Sequence, residues 1–134
     1  MGDGPIIRLE EHPVHLALGA RVIPQERFTG DAAWYERYGE RNARDGVEGR
    51  LVTVHTFIAP WDSWEVHPHG EELVLCTGGT ITLHQEIDGD VLTTTIRAGE
   101  AVINAPGVWH TADVAGTATA VFITAGVGTE SRPR

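Results

Sequence analysis

The chain has one cysteine in 134 residues, Cys76, so no internal disulfide can brace it. That cysteine closes the apolar run Leu73, Val74, Leu75, Cys76, where a small buried hydrophobe serves packing and a reactive thiolate is disfavoured. No Gly-x-Ser-x-Gly elbow occurs, so covalent nucleophilic catalysis is not expected. Basic residues are also scarce: 10 stand against 19 acidic ones, for a formal charge of −9. Such a surface repels phosphate backbones and anionic head groups, which argues against nucleic acid and membrane partners. The one basic cluster, Arg132 to Arg134, is too short for an electrostatic footprint and reads as a solvated tail.

Long apolar runs are missing as well. No window approaches the roughly 20 residues that cross a bilayer, and the N-terminus lacks a basic stretch followed by an apolar segment. A myristoylation signal would need Ser or Thr where the chain has Ile6. A cytoplasmic protein without a lipid anchor is the expectation.

What is plentiful is 16 Gly, 7 Pro and 7 His. Gly and Pro spread along so short a chain mean many turns, and many turns mean short strands, so an all-β fold is favoured. The 41% hydrophobic and 22% charged fractions are those of an ordinary globular protein. We expect one domain over residues 1–134, with a core at about 47–126, an N-terminal arm and helix over 1–46, and a C-terminal tail over 127–134.

Val14 to Ile23 reads as an edge strand or extended arm. Asp31 to Ala43 predicts the one helix, with Asp31 as N-cap, Trp34, Tyr35 and Tyr38 on one face, and Asp45-Gly46 beyond its end. Thereafter the period is two. Strands are expected at Leu51 to Ile58, Glu71 to Thr77, Thr80 to Ile87, Val91 to Ile96, Ala101 to Asn104, Trp109 to Val114 and Thr117 to Ala125. Gly78-Gly79, Asp88-Gly89, Ala98-Gly99 and Ala115-Gly116 supply the reversals. About eight such strands argue for a sandwich or barrel, and closure into a barrel would remove exposed edges.

The densest chemistry lies between Trp61 and Glu72. In a strand, His67 and His69 share a face, so two imidazoles could converge on one ion. Glu72 has the opposite parity and joins them only through a slip at Gly70, while Glu71 keeps parity and competes for the role. A second segment, Gly99 to His110, carries a Pro106-Gly107 turn and then His110, which would open the next strand beside the first cluster. Three imidazoles and one carboxylate suit one divalent transition metal, Fe, Mn, Ni, Cu or Zn, and not calcium.

These two segments resemble the paired motifs of the cupin superfamily, small β-barrels of jelly-roll type that bind one metal through His-x-His, Glu and a later His. Glu72 followed after six residues by Gly79 matches the end of the first motif. Gly99, then Ala105-Pro106-Gly107, then His110 matches the second. The resemblance covers about half the chain and implies His67, His69, Glu72 and His110 as ligands. The wording is similar to that of small bacterial single-domain cupins. Departures are the two-residue gap between His69 and Glu72, and Trp61, Ala105 and Val114 where the family has Gly, Pro and Asn. If the short gap turns His69 outward, the site reduces to His67, Glu72 and His110, a two-histidine-one-carboxylate triad.

His12, His15 and His84 read as surface residues, and His55 as a core histidine or a residue orienting a ligand. Trp61, Trp64 and Trp109 flank the ligand segments and fit either a pocket rim or core packing. Gly126-Val127-Gly128 is no dinucleotide fingerprint, because no helix pattern follows it. The resemblance implies a metal-dependent enzyme, an oxygenase, isomerase or lyase, acting on a small organic molecule. The rival is a non-catalytic module that binds or senses a small ligand. The resemblance also implies pairing into a homodimer, which the doubly apolar strand at Leu73 to Cys76 fits.

Overall fold

The computed structural model describes residues 6–134. The first five positions of the expected arm, and the part of the leader reading that falls on them, lie outside the described residues. The segment expected as one strand or arm is a hairpin, β1 (Val14–Ala17) and β2 (Arg21–Pro24). Gly19 and Ala20 reverse it, both at positive φ. Helix α1 (Ala32–Arg41) follows, with the Asp31 side chain accepting from Trp34 N at 2.9 Å, as its N-cap role predicts. It ends earlier than expected, at the Asn42 cap, because Ala43–Asp45 tightens into a single 3-10 turn before Gly46 takes φ 59°.

The remaining strands are β3 (Arg50–Phe57), β4 (Ser63–Val66), β5 (Glu72–Gly78), β6 (Thr80–Ile87), β7 (Asp90–Arg97), β8 (Ala101–Asn104), β9 (His110–Val114), β10 (Ala118–Thr124) and β11 (Glu130–Pro133). They form two antiparallel sheets, ordered β2-β1-β3-β10-β5-β8 and β11-β4-β9-β6-β7. The jelly-roll character expected from sequence is present, but among the described residues the sheets do not close into a barrel. Each sheet keeps two edges, and these edges are blunted instead of paired. β8 and β11 are four residues long, β2 ends in Pro24, and β7 is Thr-rich and exposed along most of its length.

Alternation sorts each strand. Val74 and Cys76 of β5, and Ala118, Ala120 and Phe122 of β10, point inward to meet Ile81, Leu83 and Ala112 from the opposite sheet. Each of the larger side chains contributes about 1.5–3 kcal/mol by leaving water. Cys76 is fully buried, as its apolar run implies.

Two readings of the periphery are corrected. Arg132 to Arg134 is no free solvated tail: β11 pairs with β4, the Arg132 guanidinium lies 4.5 Å from the Trp109 ring centroid and pairs with Glu86, and Arg134 bonds Asp113 at 2.6 Å. Two arginines find a carboxylate each in an acidic protein, so the short basic run docks. His15 is not a surface residue either. It is 1% exposed, with Nδ1 2.6 Å from the Tyr38 hydroxyl and Nε2 2.6 Å from Asp45 Oδ2, which latches α1 and its 3-10 extension to β1. His84 is half-buried between Thr93 and Asp113, and His12 is half-buried against the Gln25 carbonyl.

Candidate metal centre

β4 and β9 are neighbours, and Glu65 stands directly opposite His110 in their ladder. Side chains directly opposite one another share a face. Strand parity then carries Glu65 to His67, two residues on, so Glu65, His67 and His110 converge. One ligand atom from each lies within 4.8 Å of the others. The tight turn before His110 is anchored here too, since Gly107, at φ 78°, donates its N–H to the His67 carbonyl at 3.1 Å.

Glu72 arrives from the other sheet. It opens β5 and points inward with Val74 and Cys76, so no slip within one strand is needed to bring it to the histidines. Gly70 plays a different part from the one expected: a Cβ there would overlap that of Ala125, so glycine permits the close crossing between sheets. Glu72 Oε2 lies 3.1 Å from His67 Nε2, and Oε1 lies 3.2 Å from His110 Nε2. Asn104 Nδ2 donates to Oε1 at 3.0 Å and the Thr124 hydroxyl to Oε2 at 2.6 Å, while Gln85 Nε2 donates to the Asn104 side-chain Oδ1 at 2.7 Å. The carboxylate is thus fixed in rotation.

Burial opposes charge on Glu72, yet the His110 and His67 imidazoles set against it hold its carboxyl well below the usual range. Burial likewise works against an imidazolium at His110, and the Glu72 carboxylate outweighs it and raises that residue. Glu65 is raised, first by burial and then by the negative charge of Glu72. Both Nε2 atoms, of His67 and of His110, are sealed from solvent and make no aligned hydrogen bond. The His110 Nδ1 faces the Val108 carbonyl at 3.1 Å, and a carbonyl can only accept, so this nitrogen carries a proton, and in the neutral ring Nε2 then holds the lone pair. A lone pair aimed at a carboxylate is a repulsive arrangement unless a proton or cation lies between them. A metal ion fits this donor set of two imidazoles and two carboxylates.

His69 is not brought into this group. The chain turns at Pro68 and His69, so strand alternation fails there, and the exposed His69 ring rests near Gly128. Glu71 is exposed. Glu65 was the residue missed, and the same two-residue parity applied one step earlier would have found it. Around the group runs an aromatic series: Trp61 packs 6.4 Å from the His110 ring, then Phe122, His55 and Phe28 lead outward to α1. His55 is therefore a packing residue, lowered by burial. Tyr35 of α1 is 45% exposed, yet burial and then the carboxylates Glu65 and Glu72 push its ionisation up to about 12.

A two-sheet antiparallel jelly roll that gathers His, His and Glu from facing sheets defines a protein of the cupin type. The chain belongs to that family: the cupin domain of the Cupin_2 group matches residues 47–126. Among solved structures, it is similar to an uncharacterized conserved protein with a double-stranded β-helix domain from Klebsiella pneumoniae, at 26% identity and a TM-score of 0.51 over 63% of this chain and 69% of that one. It also resembles a cupin-2 domain protein from Shewanella frigidimarina, at 19% identity and a TM-score of 0.48 over 63% of this chain and 71% of the other. Hydroquinone 1,2-dioxygenase from Sphingomonas sp. TTNP3 matches at 15% identity and a TM-score of 0.47 over 56% of this chain, which spans only 59% of that enzyme. A comparison with curated proteins returns no match. Among the described residues, no helix is long and apolar enough to cross a membrane.

Proposed function

We propose that the protein is a metal-dependent enzyme acting on a small organic molecule, with one divalent transition ion held by His67, His110 and Glu72 and with Glu65 beside them. The observation that carries this reading is the pair of buried Nε2 atoms without hydrogen-bond partners, both facing one carboxylate. When bound, such an ion supplies Lewis acidity or electron transfer. Glu72, locked by Asn104 and Thr124, balances its charge and orients the donors. Glu65, whose carboxyl is raised, can hold and pass a proton at that position. Oxygenase, isomerase and lyase chemistry all suit this arrangement, because a fold of this kind does not select a reaction.

One observation favours the rival, a non-catalytic binding module: His110 is 0% exposed, so the ligand atoms are sealed. Elemental analysis of protein purified without a nickel column, paired with oxygen uptake on phenolic and diketone substrates, separates the two. Iron with oxygen consumption supports the enzyme; tightly held zinc without turnover supports the module; protein free of transition metal overturns the metal-dependent enzyme.

Pairing into a homodimer belongs to the same proposal. Leu73, Leu75, Val121 and Ile123 alternate with the core residues of β5 and β10 and so line the outer face of the first sheet, where Ile103 is 58% exposed. A second copy of this face would cover that row. The cytoplasm is the proposed compartment, supported by the lone buried Cys76.

A further inference from the structure

We infer that Thr129, beyond the family-matched region, is a positioning residue that sets the tautomer of His67 and so aims its Nε2 at the candidate metal centre. The inference rests on the metal-binding reading above and extends it to the C-terminal segment. The Thr129 hydroxyl oxygen lies 2.8 Å from the Gly126 carbonyl oxygen and 2.8 Å from His67 Nδ1. A hydroxyl has one proton, and the Gly126 carbonyl can only accept, so that proton goes to Gly126. The lone pairs of the same oxygen then face His67 Nδ1, which must be the protonated nitrogen. A neutral imidazole protonated at Nδ1 has its free pair at Nε2, the atom that is buried, unpartnered and 3.1 Å from Glu72. In water the neutral ring favours the opposite tautomer, so the protein has to impose this one. His110 reaches the same state through its own neighbour, Val108. His67 borrows its partner from a segment 62 residues away.

The segment is built to hold that hydroxyl still. Thr129 immediately precedes β11, whose register sets Glu130 opposite Val66, the residue before His67. Arg132 lies over both Trp64 and Trp109, side chains flanking the two histidine positions. Arg134 donates to the Trp61 and Ala112 carbonyls besides its pair with Asp113. The C-terminal strand thus straps β4 to β9, the strands that lead to His67 and His110. Groups that orient a ligating histidine through its second nitrogen commonly matter ~10–100-fold for metal affinity.

The test uses the full chain with Thr129→Val, which keeps the branched shape without the acceptor, and Thr129→Ser, which keeps the hydroxyl. Cobalt(II) affinity is measured by competition with a chromophoric chelator. Nitrogen NMR on chelator-treated protein reads the His67 tautomer at alkaline pH, where imidazole is neutral. We expect the Val variant to bind cobalt ~10–100-fold more weakly and to lose the Nδ1–H signature, and the Ser variant to behave as the parent. A Val variant with unchanged tautomer and affinity overturns the role of Thr129 while leaving the metal site standing. Parent protein that takes up no cobalt overturns the metal site, and the tautomer comparison in ion-free protein then decides the role of Thr129 by itself.

Discussion

Glu65 and His110 face each other across a single rung of the β4–β9 ladder, and this pairing gives the candidate centre a second carboxylate. Replacing Glu65 by Gln keeps the shape and removes the charge. Divalent metal affinity, measured by chelator competition, should fall by at least the ~10–100-fold typical of a group that only supports a ligand. Unchanged affinity would place Glu65 outside the centre.

The donors come from both sheets, so a bound ion cross-links them. Adding a divalent metal at about 100 times its dissociation constant contributes ~2.7 kcal/mol to the folded state. For a domain of this size that raises the melting temperature on the order of 10 °C, and excess chelator should reverse the rise in a calorimetric scan. His67→Ala and His110→Ala should abolish the response.

His69→Ala provides the contrast. Its ring is exposed beside Gly128, so cobalt affinity should stay within about threefold of the parent, well below the ~10-fold that even a supporting group commands. A loss as large as that of His67→Ala would return His69 to the ligand set.

Asp113 carries the acid response of the C-terminal strand. Its bond to Arg134, then that to His84, lower its carboxyl to about 2. A folded value below the unfolded ~3.9 means the contribution is present above that value and is lost as pH falls through it towards 2. Thermal melting between these limits should therefore decline with acid, and Asp113→Asn should flatten the decline. Equal slopes for parent and variant would assign the acid response elsewhere.

The outer row of Leu73, Leu75, Val121 and Ile123 predicts a dimer mass by light scattering, and Leu75→Lys together with Val121→Lys should return a monomer. A monomeric parent would remove the homodimer from the proposal.

Much of this architecture was legible from the residues. Sequence pattern located β3, β5, β6, β7, β8, β9 and β10 to within a residue or so, most clearly β5, β6 and β10, whose burial alternates along the strand. Asp31 announced α1 through its capping chemistry. β4 and β11 were not seen, and both are four-residue strands whose existence depends on each other: Trp64 and Arg132 are partners in register, a relation with no local signature. The site divides the same way. His67, His69, Glu72 and His110 were named through the resemblance of their two segments to the cupin motifs, whereas the separation of His69 from the other three required knowing where the strand ends, and the orienting roles of Asn104, Thr124 and Thr129 depend on contacts 32, 52 and 62 residues away along the chain.

The edge-on contact between the indole of Trp61 and the ring of His110 has a practical corollary. Trp61 is a fluorophore seated against a candidate metal ligand, so an ion with unpaired electrons at the centre would dim its emission and a closed-shell ion would leave it bright. Emission from this indole would therefore separate paramagnetic from closed-shell occupants of the candidate centre.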